Sequence, residues 1–151
     1  MTTSATIRSA WNSAIWTNTS ITAMTEKIYN FEVLQLSTKE TARLRFNQEI
    51  NFFTYTVTRA SRIRPMSQIE QKFDVDITRY LQADVAGDNY TQLIDDFETL
   101  DALVLSGLTS SWSSTVDFYR TQDGPPSVTL QEIEGVPVWV GRYKYTGFKN
   151  I

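Results

Sequence analysis

Apolar and polar residues alternate from Phe73 to Leu81, and this alternation limits the fold more than any other stretch of the sequence. In a strand, successive side chains point to opposite sides, so the apolar residues share one side and the polar residues the other. The two sets are Phe73, Val75, Ile77 and Leu81 on the first side, and Asp74, Asp76 and Thr78 on the second. The Ser-Gln-Ile-Glu stretch at residues 67–70 matches a helix capping box, but a helix would scatter the apolar residues around its circumference. We therefore predict a strand over residues 71–81, antiparallel to the strand before it.

Two other segments have the spacing of helices with one apolar face. The longer helix begins at Asp88 or Asn89 as its cap and has Gly107 where a left-handed C-cap is expected. The shorter helix is predicted over residues 5–16. The apolar positions are Leu93, Phe97, Leu100, Val104 and Leu108 in the longer helix, and Ile7, Ala10, Trp11, Ala14 and Ile15 in the shorter one.

Segments rich in β-branched and aromatic residues predict the remaining strands. They cover residues 29–36, followed by a loop at 37–41, then 47–61 and 112–121, and finally a hairpin of 128–133 with 136–145. Pro137 has no N–H to donate, so the last strand is expected to begin at an edge or a bulge. Residues 1–151 are therefore predicted to form a single α+β domain, with two helices packed on one face of a mostly antiparallel sheet of four to five strands.

The sequence contains neither histidine nor cysteine. The commonest general base, the usual zinc ligands and thiolate nucleophiles are therefore excluded. Acidic residues occur as the pair Asp74 and Asp76, and as a group on the longer helix. That group is Asp95, Asp96, Glu98 and Asp101, and both sets are interpreted as solvated polar faces rather than as cation or proton-transfer sites. We expect no enzymatic activity, no metal and no cofactor.

The charge of the chain is weakly acidic, with 17 acidic and 14 basic residues and a formal net charge of −3. A nucleic-acid-binding protein usually has a basic surface, so no specific nucleic-acid binding is expected. Arg59, Arg62 and Arg64 form the one local basic cluster, which is predicted to lie in a loop that could face a partner or DNA. The sequence contains no apolar stretch long enough to span a membrane, and its first residues do not have the pattern of a signal peptide.

Two strands carry large apolar residues on both of their faces, because Phe52 is next to Phe53 and Val138 is next to Trp139. Two helices cover only one face of a sheet, so the second face needs another cover, either extended loops or another subunit. Exposed apolar patches of several hundred Å² usually mark protein contacts, so another subunit is the favoured prediction. The residues predicted at the subunit interface are Trp139, Tyr143, Tyr145 and Phe53.

The order of these elements resembles that of the tail terminator proteins of tailed bacteriophages. The likeness rests on the opening helix around residues 7–11, the alternating strand at 73–81 that leads into the helix at 93–108, and the closing strand at 135–145. The resemblance implies a subunit of a homohexameric ring that caps the tail tube and contacts the tail tube protein and a head–tail connector or neck protein. It also implies a location in the virion tail or neck, after assembly in the host cytoplasm, and it supplies no catalytic residues. Residues 17–48 form a longer and more polar segment than this resemblance requires.

Two alternatives remain open from the sequence. The first is another neck or tail completion subunit of the same architecture. The second, from a different class, is a cystatin-like, cone-shaped α+β domain that binds a ligand or catalyses a reaction. In that second case Trp139, Tyr143 and Phe53 would point into an enclosed cavity of the single chain, whereas in a ring they would point towards another subunit.

Overall fold

The computed structural model describes residues 4–25, 28–30, 50–62, 70–107, 117–120, 126–133 and 135–150. In chain order, the helical elements are α1 (Ser4–Trp11), a π-helical segment (Asn12–Trp16), α2 (Thr19–Thr22) and α3 (Asp88–Gly107). The strands are β1 (Ile28–Asn30), β2 (Asn51–Arg62), β3 (Glu70–Gln82), β4 (Asp117–Arg120), β5 (Ser127–Ile133) and β6 (Val136–Asn150). None of the described helices is long and apolar enough to cross a membrane.

The described strands form one sheet in the order β1-β2-β3-β6, and β4 and β5 both pair with the outer edge of β6. β5 pairs with the first half of β6, and β4 pairs with residues 145–148 near its end. β1 is parallel to β2, and all the other pairs are antiparallel. The predicted α+β class with a mostly antiparallel sheet is confirmed.

The predicted strand at 71–81 corresponds to β3, and the predicted hairpin corresponds to β5 and β6. β6 continues to Asn150, beyond the predicted end at residue 145. Pro137, predicted to lie at an edge or a bulge, pairs with Glu132 of β5 on one side. On the other side the register with β3 ends at Val138, and the Pro137 carbonyl oxygen accepts from the Ala83 N–H. The predicted loop at 37–41, most of the strand at 29–36 and the first half of the strand at 112–121 lie outside the described residues.

The first helix is predicted to continue to residue 16, but it is α-helical only as far as Trp11. Residues 12–16 are π-helical, and both Trp11 and Trp16 are buried, with their ring centroids 6.0 Å apart. A π-helical turn joins residues five apart, which is the separation of these two tryptophans. The π-helical segment therefore brings both indole rings into the core.

The main core lies on one face of the sheet. Odd-numbered residues at 53–57 of β2, 73–81 of β3 and 139–145 of β6 share this face, because Tyr55 pairs with Ile77 and Ile77 pairs with Tyr143. Their side chains form one cluster with the buried residues of α1, the π-helical segment and α3. The predicted apolar stripe of α3 is confirmed at Leu93, Phe97, Leu100 and Val104, which are all fully buried, whereas Leu108 lies outside the described residues. We call this face of the sheet the helix face and the other face the second face.

Candidate functional site

The second face presents a block of polar side chains built by strand register. Thr54 of β2 is paired with Thr78 of β3, which is paired with Arg142 of β6. A second row, two positions away along the strands, is formed in the same way by Thr56, Asp76 and Lys144. Because side chains alternate between faces, both rows project from the second face. Residues that are far apart in sequence therefore meet at one place on the sheet.

A cavity of about 300 Å³ lies among these rows. We call it the second-face cavity, and its lining residues are Thr54, Tyr55, Thr56, Asp76, Thr78, Tyr80 and Arg142. The lining combines hydroxyl groups, a carboxylate and a guanidinium group. Hydrogen-bond donors and acceptors therefore face the same small volume.

An acidic pair and a lysine lie at one side of the cavity. The Lys144 Nζ atom is 3.4 Å from the Asp74 Oδ2 atom, and the Thr146 hydroxyl donates to Asp74 Oδ1 at 3.0 Å. The Asp76 side chain remains open to solvent, but the protein around its carboxyl group displaces part of its water. This desolvation raises the pKa of Asp76; Lys144 opposes the rise and the negative charge of Asp74 adds to it.

Tyr80 forms the aromatic side of the cavity. Its ring stacks on that of Phe52, with centroids 4.5 Å apart and planes inclined by 13°. Burial raises the pKa of the Tyr80 hydroxyl, while the nearby Arg142 charge and a hydrogen bond with Thr54 lower it. The hydroxyl is therefore protonated at neutral pH, and it lies close to both a cation and a threonine hydroxyl.

Replacing Asp76 with asparagine is expected to increase the free energy of unfolding at neutral pH. Because the folded pKa of Asp76 is raised, the folded protein holds this proton more tightly than the unfolded chain does. Stability therefore falls as pH rises from 3.8 through the folded pKa, and asparagine removes this loss. Urea unfolding at neutral pH and below pH 3.8 checks the prediction, since the gain should vanish at the lower pH. Asp95→Asn, on the exposed side of α3, is the control, and an Asp76→Asn protein that is less stable at neutral pH would contradict the prediction.

Three of the four residues predicted at a subunit interface belong to the core of the single chain. Phe53 and Tyr145 are fully buried, and Tyr143 is 5% exposed. The ring of Phe97 from α3 packs edge to face on Tyr143, and Trp16 packs on Phe53. The prediction that these three residues contact another subunit is corrected, because they project from the helix face beneath the helices.

The same rings do not surround the second-face cavity, which lies on the opposite side of the sheet from Phe53 and Tyr143. They therefore do not have the arrangement that the cone-shaped alternative requires of them.

Tyr145, another of the predicted interface residues, donates from its hydroxyl to Asp101 Oδ1 at 2.9 Å. Asp101, predicted to be part of a solvated face, therefore links α3 to β6.

Four apolar residues in the described part of the second face are buried within the single chain. Ile50, Val138 and Val140 are fully buried, and Phe52 is 3% exposed. They form a smaller cluster, separate from the main core, with Tyr80 and Val136 packed against it. The favoured prediction, that another subunit rather than loops covers the apolar residues of this face, is therefore corrected for these four residues, because the chain itself buries them.

Trp139 differs from the other predicted interface residues because it is partly exposed. It pairs with Leu130 of the outer strand β5, and its ring centroid is 5.0 Å from that of Tyr90 at the start of α3. Leu130 is 57% exposed and Tyr90 is 42% exposed. We call Tyr90, Leu130 and Trp139 the outer-edge patch. The sequence prediction missed Leu130 and Tyr90, although the pairing of Leu130 with Trp139 follows from the predicted hairpin.

The predicted arginine loop is partly a strand. β2 continues to Arg62, with a register shift between Arg59 and Ser61. The backbones of Arg59 and Arg62 are therefore held in the sheet, and the prediction that they lie in a loop is wrong. Their side chains and all of Arg64 lie outside the described part of the structure.

Asp96 was predicted to face solvent, but it is only 2% exposed and forms an ion pair with the equally buried Arg79. The pair lies on the helix face, between α3 and β3, away from the second-face cavity. Among the described residues, no group of three or more acidic side chains is placed to hold a metal ion.

The comparisons with known proteins add no family to these observations. No protein-family model matches the chain, and no curated protein sequence matches it. Conclusions about function therefore depend on the second-face cavity, the outer-edge patch and the order of the elements.

Proposed function

We propose that this protein is a non-enzymatic structural subunit of a bacteriophage virion: a tail terminator that caps the tail tube and joins it to the head. The order of the elements supports the proposal, since α1, the long strands β2 and β3, α3, and the strands β5 and β6 occur in that order along the chain, with α2, β1 and β4 between them. The single observation that carries it is the outer-edge patch, in which Leu130 and Tyr90 are exposed and Trp139 is partly exposed beside an outer strand of the sheet.

The outer-edge patch has the properties of an assembly surface. Tyr90, Leu130 and Trp139 are contributed by α3, β5 and β6, so the patch is fixed by three elements that pack together. Aromatic side chains are enriched at the centres of protein interfaces. Within the described part of the chain, β5 pairs with β6 alone, so the patch adjoins an outer strand whose backbone groups can bind another strand.

A closed ring needs two different surfaces on each subunit, because each copy contacts its neighbours head to tail. The outer-edge patch lies at one end of the strand order, and the short parallel strand β1 lies at the other end. We propose that the patch of one copy meets the β1 side of the next. Six copies would complete the ring, in keeping with the family that the sequence resembles.

The proposed partners are the tail tube protein on one side of the ring and a head–tail connector or neck protein on the other. The proposed location is the tail or neck of the virion, with assembly in the host cytoplasm. Another neck or tail completion subunit would use the same outer-edge patch, so the position of the chain in the particle distinguishes the two roles.

Replacing Leu130 with lysine is expected to weaken self-association by about tenfold or more, because it puts a charge in the centre of an apolar contact. Light scattering coupled to size-exclusion chromatography should give a wild-type mass several times that of the 17.3-kDa chain, and a smaller mass for the variant at the same concentration. Since Leu130 is 57% exposed, the folded subunit should tolerate the substitution. Ala102→Lys adds the same charge at an exposed position of α3 and is the matched control.

A wild-type protein that stays monomeric at the highest soluble concentration would contradict the proposed assembly. So would a Leu130→Lys protein that assembles as well as the Ala102→Lys control. Electron microscopy of purified particles, with antibody against this chain, tests the specific role. Label at the head-proximal end of the tail supports a terminator, and label elsewhere on the particle argues for a different virion subunit.

A further inference from the structure

The second-face cavity lies apart from the outer-edge patch and from the buried ion pair, so neither assembly nor core packing accounts for it. Its lining includes Thr54, Thr56, Thr78, Tyr80, Asp76 and Arg142, and the side chains of Thr54 and Tyr80 are hydrogen-bonded to each other. Such a set can donate to and accept from the same ligand. A small number of convergent polar groups in a concave site is typical of places where small molecules bind.

The charges around the cavity balance. Asp74 and Asp76 supply two negative charges, and Lys144 and Arg142 supply two positive charges. Lys144 is already 3.4 Å from Asp74 Oδ2, which leaves Asp76 and Arg142 as the opposite charges that line the cavity. The attraction of an anion to Arg142 is opposed by Asp76, and the attraction of a cation to Asp76 is opposed by Arg142. The balance therefore favours a ligand without net charge that has both hydroxyl donors and oxygen acceptors.

The size and the aromatic side of the cavity narrow the range of possible ligands further. A volume of about 300 Å³ is at the lower end of the range for ligand sites, so the ligand must be small. Tyr80 is held by its stacking on Phe52, which fixes the orientation of its ring at the cavity. An aromatic side chain with a polar hydroxyl suits a ligand that has both a C–H surface and hydroxyl groups, as a pyranose ring does.

We propose that the second-face cavity binds a neutral polyhydroxylated molecule of monosaccharide size. Arg142 donates to ligand oxygen atoms, Asp76 accepts from ligand hydroxyls, and Thr56 and Thr78 complete the hydrogen bonds from the floor of the sheet. Thr54, which is only 3% exposed, is hydrogen-bonded to Tyr80. Tyr80 contacts the C–H surface of the sugar ring. Because the cavity is on the second face, this binding is independent of contacts made through the outer-edge patch.

The test is a titration of the isotope-labelled protein with D-glucose, D-galactose, D-mannose and N-acetyl-D-glucosamine, followed by the backbone amide signals in two-dimensional NMR. At least one sugar should give saturable shifts centred on Thr54, Thr78 and Arg142. A ligand of about a dozen non-hydrogen atoms is expected to bind with a millimolar Kd, so sugar concentrations up to about 50 mM are needed. Sodium acetate and sodium phosphate at the same concentrations serve as charged competitors.

Matched variants locate the binding. Arg142→Ala and Thr56→Ala each remove a cavity-lining group and should weaken sugar binding, by about tenfold for Arg142→Ala. Thr58→Ala changes the same residue type on the same strand and face but outside the cavity lining, and it should bind like wild type. Unchanged amide spectra away from the site establish that each variant is folded.

Three outcomes would overturn the proposal. The first is the absence of saturable shifts with all four sugars. The second is a set of shifts that maps away from the second-face cavity, or that is the same in Arg142→Ala and wild type. The third is stronger binding of acetate or phosphate than of any sugar at these residues, which would identify a site for anions instead.

Discussion

Replacing Arg79 with alanine is expected to lower the free energy of unfolding by about 3–5 kcal/mol. The Arg79 Nη2 and Nε atoms donate to Asp96 Oδ2 at 3.0 and 3.2 Å, and both side chains are almost completely buried. Removing the guanidinium group leaves the Asp96 carboxylate without its charge partner, in a place that water cannot reach. The loss therefore measures an uncompensated buried charge more than the strength of one contact.

The surroundings of the pair explain why such a large effect is expected. Arg79 Nη1 donates to the carbonyl oxygens of Phe52 and Tyr80 at 3.4 and 3.1 Å, and its guanidinium carbon is 4.7 Å from the centre of the Phe53 ring. Gln92 donates to the other Asp96 oxygen at 2.7 Å. The network therefore joins α3 to β2 and β3 at a single position.

Urea unfolding of wild type and variants measures the effect. Arg142→Ala is the matched control, since Arg142 is an exposed arginine on the neighbouring strand and its loss should change stability by less than about 1 kcal/mol. The double variant Arg79→Met with Asp96→Leu should recover most of the stability, because it leaves no unpaired charge in the core. An Arg79→Ala protein as stable as the Arg142→Ala control would show that the buried pair does not have this role.

The sequence contains a signal for this pair, although the acidic residues of α3 are predicted to face solvent. Arg79 falls between Ile77 and Leu81 in the alternation, which places it on the apolar side of the strand. Asp96 is three residues after Leu93 and four before Leu100, within the apolar stripe of the helix. An acidic residue on a helix usually faces solvent, and only the packing of α3 against β3 shows that these two opposite charges meet.

Local patterns predicted the class of the fold well, because the spacing of apolar side chains in strands and helices can be recognised from residues that are close in sequence. The predicted interface failed for Phe53, Tyr143 and Tyr145 because a strand pattern does not tell which face receives the helices. The second-face cavity could not be predicted because it depends on the register of three strands. Thr54, Thr78 and Arg142 are paired across the sheet but are far apart along the chain.

Replacing Gly141 with valine is expected to lower the free energy of unfolding by about 3 kcal/mol, at the upper end of the usual effect of overpacking. Gly141 lies on the helix face, where a Cβ atom would be 2.6 Å from Phe97 Cε2 and 2.8 Å from Leu93 Cδ2. Phe97 and Leu93 are fully buried, so neither side chain can move into solvent to make room. On a strand without a helix above it, valine would be favoured over glycine. The substitution is therefore expected to lower the free energy of unfolding only because α3 packs on this position.

A double-mutant cycle shows whether close packing of α3 is the cause. Gly141→Ala should cost less in a Phe97→Leu protein than in wild type, because leucine lacks the ring atom that the new Cβ would meet. Urea unfolding of the four proteins gives the coupling free energy between the two positions. If the two substitutions were simply additive, the contact with Phe97 would not limit position 141. If the double variant loses less stability than the sum of the two single losses, glycine is required at position 141 because it lets α3 lie close to β6. The Arg79 ion pair, one strand away, holds the same helix in place.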